Sequence, residues 1–173
     1  MGFFEIFSII FLVIVFSLLI MIIMGVISKS VNLKKAEKNI KVKSKNMAVA
    51  FTWLGLSAFN TFNMFMQMTT AAERGEFSRE RAYLFFAITW ILFFIYSLIM
   101  IVFGKYAYIT ENKIIMLDVI RSGKCKQNCR YKINGESVEI YWKKLKTPWK
   151  YEIIENKDEL TEMLENNYIQ HEE

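Results

Sequence analysis

Charged and strongly apolar positions occupy separate stretches of this chain. Three windows, Ile6–Ser28, Asn46–Ala72 and Ala82–Gly104, of 23, 27 and 23 residues, contain no Asp, Glu, Lys, Arg or His. A hydrocarbon core of about 30 Å needs about 20 helical residues, which each window supplies. Inside lipid the backbone must satisfy its own hydrogen bonds, so each reads as a membrane-spanning helix, at about 4–28, 47–71 and 82–104. The first, FSIIFLVIVFSLLIMIIMGVIS, is apolar on every face. The third is nearly as apolar, and Tyr83, Tyr106 and Tyr108 stand where interfacial aromatics are expected. A cleaved signal peptide fits poorly: Glu5 stands where a basic region belongs, the run is too long, and no A-x-A site follows. Ile6 also removes the myristoylation pattern.

The middle window differs from its neighbours. At 100° per residue, Thr52, Asn60, Asn63, Gln67 and Thr70 fall in one narrow arc, while Phe51, Phe59, Phe62 and Phe65 point elsewhere. Amides facing lipid lack partners, so this polar stripe should face protein or water. Interhelical hydrogen bonding, within the chain or in a homo-oligomer, is one reading; a pore or ligand groove is the other. No span holds an ionisable residue of the kind that marks proton relays and coupling sites.

From Lys105 the pattern changes to short alternating runs. KYAYIT and KIIMLDVI flank Glu111-Asn112, RYKI and SVEIYW flank Asn134-Gly135, and KYEII follows Pro148. These read as five strands, with Asn-Gly as the strongest hairpin cue. Asn156 with Glu159 three residues on resembles a capping box before a helix whose apolar stripe is Leu160, Met163, Leu164 and Tyr168. The expected fold class is a membrane α-helical protein of three transmembrane helices (1–104) with a small α+β cytoplasmic domain (105–173), an antiparallel sheet plus C-terminal helix. The stretches YITENKII, SVEIYWKK and YEIIENKDELTEMLENN resemble the small PH-like domains of bacterial membrane proteins of unassigned function, though with fewer strands than a full barrel. That resemblance covers about the last 65 residues. It implies a scaffold for partner or lipid contact rather than chemistry, and it carries over no site residues.

Composition agrees with a mixed chain. Of 173 residues 54% are hydrophobic and 23% charged, too apolar for a soluble domain and too charged for a bare bundle. One Pro and seven Gly exclude a linker-rich or collagenous chain. Charge also orients the spans. The loop 29–45 holds seven lysines, Lys29, Lys34, Lys35, Lys38, Lys41, Lys43 and Lys45, whereas the second loop holds three arginines. Positive-inside counting puts the first loop and the C-terminal domain in the cytoplasm and the N-terminus outside, as a multi-pass protein of the cell membrane. Those lysines also suit anionic headgroups. Nucleic acid is not an expected partner, because no aromatics interleave the run and both its ends are tethered.

Chemistry is sparse. The single His171 lies in the terminal QHEE, and no P-loop or G-x-G-x-x-G is present. Cys125 and Cys129, spaced C-x3-C, offer two ligands where metal sites want four. In a cytoplasmic tail they read as reduced thiols, with a redox-sensitive or intermolecular disulfide as the alternative. No catalytic residue, metal or cofactor is expected. The expected function is a non-catalytic accessory or regulatory membrane protein, of subunit, sensor or immunity type, whose tail docks a partner or the membrane surface. The alternative is an oligomeric, holin-like pore built on the stripe of the middle span.

One expectation joins the two cytoplasmic segments. Few strands leave the tail with an open sheet edge. Asn39–Lys45 alternates, with Ile40 and Val42 on one face and lysines on the other, and could pair there. A juxtamembrane helix with Leu33, Ala36 and Ile40 on one face competes for the same residues.

Overall fold

The structure is a computed structural model that describes residues 2–45, 47–117, 129–142 and 148–170. Its contacts divide the chain into two compact units, Met1–Ile23 with Ala48–Ile101, and Met24–Met47 with Val102–Glu173.

The first unit is helical. It takes most of α1 (Phe3–Lys34), all of α2 (Ala48–Glu73) and most of α3 (Phe77–Gly104). Among the described residues two helices, α1 and α3, are long and apolar enough to cross a membrane. The amides and hydroxyls of α2 make it less apolar than its neighbours. Phe7 and Phe11 of α1 meet Phe86 of α3 at 6.2 and 6.3 Å between ring centroids, and Trp53 of α2 meets Phe93 at 5.2 Å. The buried residues of α2 and α3 are small: Ser57, Ala71, Ala82, Ala87, Thr89 and Ser97. Large apolar side chains instead point out, Phe16 at 53% exposed and Phe62 at 66%. Small residues inside and large ones outside suit helices packing in lipid, where no hydrophobic effect drives large side chains inward. At one end Glu5, 4% exposed, pairs with Arg81 at 3.1 Å. The α2–α3 turn is a Schellman motif. Gly75 N–H donates to the Ala72 carbonyl and Glu76 N–H to that of Ala71, with Gly75 at φ +69°, where a side chain would be strained.

The second unit is a curled mixed sheet with one helix. Its strands are β1 (Ile40–Ser44), β2 (Tyr106–Ile109), β3 (Ile114–Ile115), β4 (Cys129–Asn134), β5 (Ser137–Trp142), β6 (Trp149–Ile153) and β7 (Ile169–Gln170). They are ordered β3-β2-β1-β6-β5-β4-β7, antiparallel except for β4 with β7. The segment between the first two apolar windows therefore forms a strand inside the tail's sheet. Val42 stands opposite Ala107 on one side and Ile153 on the other. Ile40 and Val42 are buried, as the alternation requires, and burial on a paired strand is what displaces the competing helix, which ends at Lys34.

Other expectations shift. Of the run KIIMLDVI only Ile114 and Ile115 form strand among the described residues, and 118–128 lie outside them. The second hairpin turns at Gly135-Glu136, because Asn134 still pairs with Ser137. α4 (Lys157–Asn167) starts without the capping box: Asn156 is left-handed, at φ 43°, and makes no side-chain cap. Its amide donates instead to the Glu159 carboxylate at 2.9 Å. The α4 stripe of Leu160, Met163 and Leu164, with Tyr168 just beyond the helix, is buried against Ile109, Val138, Ile140 and Tyr151. The Tyr168 hydroxyl donates to the Thr110 carbonyl at 2.6 Å, and burial pushes its pKa up.

Candidate functional site

Strand alternation sends Ile40 and Val42 into the core and Lys41 and Lys43 to the opposite face of the sheet. Tyr106 and Tyr108 of β2 share that face, since Lys43 stands opposite Tyr106 and Lys41 opposite Tyr108. The Lys41 ammonium lies 4.0 Å from the Tyr106 ring centroid and that of Lys105 5.2 Å from it. Ammonium groups over aromatic faces are attracted by the ring quadrupole. Towards β6 and β5 the face becomes charge-paired. Lys43 meets Glu152 at 2.9 Å, and Lys150 meets Glu139 at 2.7 Å, where the Tyr141 hydroxyl donates to the same carboxylate at 2.7 Å. The hydrogen bond from Lys150, then that from Tyr141, hold the Glu139 carboxyl below the usual glutamate value. Lys43 lowers Glu152 in the same way, and Glu152 in turn raises Lys43.

The seven lysines of loop 29–45 thus separate into different roles. Lys29 is 7% exposed and turned inward. Its ammonium donates to the carbonyls of Phe103 at 2.6 Å and Tyr106 at 2.5 Å, and lies 5.4 Å from the Tyr108 ring. The Phe103 carbonyl sits at the end of α3, where backbone acceptors lack helical donors, and that of Tyr106 opens β2, so Lys29 of α1 caps α3 and holds the start of the strand beside it. It is not placed to meet a headgroup. Lys38 pairs with Glu159 at 3.0 Å, which is why its pKa is raised and that of Glu159 lowered. Lys34, Lys35 and Lys45 are exposed. A recess of about 430 Å³ lies beside Lys35, Lys38 and Lys113, with Glu37 and Glu111 also lining it. Its charges nearly balance, and Lys113 is already held by the Asn32 side-chain carbonyl.

The stripe of α2 lies in the first unit. Thr52, Asn60 and Thr70 donate to the carbonyls of Ala48, Leu56 and Met66 in their own helix. Thr52 and Gln67 are exposed, and Asn60, Asn63 and Thr70 are half-buried. Cys129 is 1% exposed in the sheet core and is disulfide-bonded, against the reduced-thiol reading; Cys125 lies outside the described residues. Among the described residues no group of three or more His, Cys, Asp or Glu is arranged to hold a metal ion.

Sequence reasoning missed the inward turn of Lys29, the Glu5–Arg81 pair and the coverage of Glu139. Glu5 carried a signal that could have been followed, a lone carboxylate next to an apolar span. No family model, curated protein or solved structure matches this chain.

Proposed function

We propose that the chain is a multi-pass membrane protein with three spans, its N-terminus outside and its sheet domain in the cytoplasm. It serves as a non-catalytic accessory or regulatory protein. Its sheet domain rests on anionic headgroups through Lys41, Lys43, Lys105, Tyr106 and Tyr108. The observation that carries this reading is the insertion of β1 between β2 and β6, which makes the loop between two spans part of the domain. Chain reach then limits the distance from span to face. Gly104 ends α3 two residues before Tyr106, and Ser44 ends β1 four residues before Ala48. At 3.3–3.6 Å per residue, those tethers reach about 7 and 14 Å at most. Cationic and tyrosyl side chains held that close to a bilayer suit its anionic, interfacial layer.

Two contacts support a third crossing. Glu5 pairs with Arg81 near the N-terminal ends of α1 and α3, and Lys29 bonds Phe103 near their C-terminal ends. Two parallel helices that both cross require the chain to return between them. The 26 residues of α2 make a helix of about 39 Å, long enough for that return. The curled sheet closed by α4 supports the PH-like resemblance and a binding role.

Amine labelling of the full-length chain in nanodiscs tests the proposal. Lys41 and Lys105 should react more slowly in phosphatidylglycerol-containing bilayers than in purely zwitterionic ones, and high salt should erase much of the difference. Lys157, exposed on α4, should react alike in both. Equal labelling of all three lysines in both lipids would reject headgroup contact.

A further inference from the structure

We infer that the polar stripe of α2 is the contact between two copies of this chain, related by a two-fold axis along the membrane normal. The inference rests on α2 crossing the membrane, as proposed above. In α1 and α3 the small polar side chains are satisfied locally: Ser17, Thr89 and Ser97 donate to carbonyls four residues back in their own helices. In α2 the threonines and Asn60 do likewise, but Asn63 and Gln67 make no side-chain hydrogen bond among the described residues. From Thr52 to Thr70 the stripe runs about 27 Å, close to the depth of a hydrocarbon core. Two unmet amides on an outer helix face in lipid carry a standing desolvation cost that only a polar neighbour removes.

The occupant is argued from the chemistry of the amide. Each Asn or Gln side chain holds both donors and an acceptor, so a row of amides complements its own image. An isologous contact brings Asn63 to its counterpart and Gln67 to its own, and repeats both pairings by symmetry. Copies inserted with the same topology meet in the required parallel sense. Phe62 and Phe65 lie on other faces of α2, whereas Leu56 falls between the amides and Phe59 borders them, so both side chains pack within the contact.

The test uses the full-length protein in lipid bilayers. Asn63→Cys should form an oxidative dimer crosslink, whereas Phe62→Cys, about 100° around the helix, should give no more than the wild-type chain with its own cysteines. The triple variant Asn60→Leu, Asn63→Leu, Gln67→Leu should weaken the dimer about threefold for each of the two amide pairs, or about ninefold in all. Crosslinking that is equal at positions 62 and 63, or a triple variant that dimerises as well as wild type, would overturn the inference. So would ion leakage through proteoliposomes that the triple variant abolishes while the oligomer persists, which would mark a water-lined pore. Labelling of Asn63→Cys by a membrane-impermeant maleimide in sealed vesicles, with no leak, would remove α2 from the membrane and fail the three-span reading itself.

Discussion

Lys29 and Lys41 belong to one basic run, yet their ammonium groups have opposite surroundings. The fate of Lys41 could be read from its neighbours, because the alternation of Ile40, Lys41, Val42 and Lys43 allows only one face to be apolar. That of Lys29 could not, since its carbonyl partners lie 74 and 77 positions away. Glu139 was equally hidden: nothing in SVEIYW shows that Lys150 and Tyr141 will cover it to 7% exposure. Its depressed pKa has a definite sign in stability. The unfolded carboxyl takes up its proton near the ordinary value of 4.5, before the folded one does. The pair therefore stabilises the sheet fully above that pH, and the contribution disappears as the pH falls through the lowered folded value. Glu152 and Glu159 follow the same direction. Thermal unfolding of the tail measured against pH should show stability falling below pH 4.5, with a shallower fall in Glu139→Gln. An identical acid limb in that variant would mean that the Lys150 pair contributes nothing.

At the scale of elements, long periodic runs were legible and short ones were not. The α4 stripe announced itself over three turns, and the hairpin of β4 and β5 by its alternation and glycine. The strands β3 and β7 have two residues each, too few to carry a period, and exist only because neighbouring strands offer free edges. The Asn156 cap misled because an Asn three residues before a Glu fits two geometries, and the left-handed one sends its amide to Glu159. Leu160 and Leu164 are both 0% exposed, so α4 holds the sheet closed through very few side chains. Leu164→Ala should cost about 2–5 kcal/mol of tail stability in chemical denaturation of the full chain. Lys157→Ala, on the exposed face, should stay within about 0.5 kcal/mol. Equal effects would mean that α4 is not part of the core.

At the scale of the whole molecule, the segregation of apolar windows from charged runs made the division of the chain legible. The lysine count gives it an expected orientation. The disulfide at Cys129 pulls against that orientation, since such bonds persist on the oxidising side of a membrane and are opened in the cytoplasm. One topology experiment resolves both. A reporter active only outside should be silent when fused after Glu173 and active when inserted near Gly75, and Cys129 should then be reduced in cells. The reverse pattern would place the sheet outside and keep the disulfide. The link between span and sheet is tested more directly still by Ile40→Pro in the full-length chain. β1 is paired on both sides, and proline removes a ladder donor from such a strand at a cost of about 3 kcal/mol or more. Amide exchange should then accelerate in β2 and β6, more than sixty residues away in sequence, while α2 and α3 keep their protection. Unchanged exchange in β2 and β6, with fraying confined to residues 36–45, would show that the loop between the spans is no part of the domain.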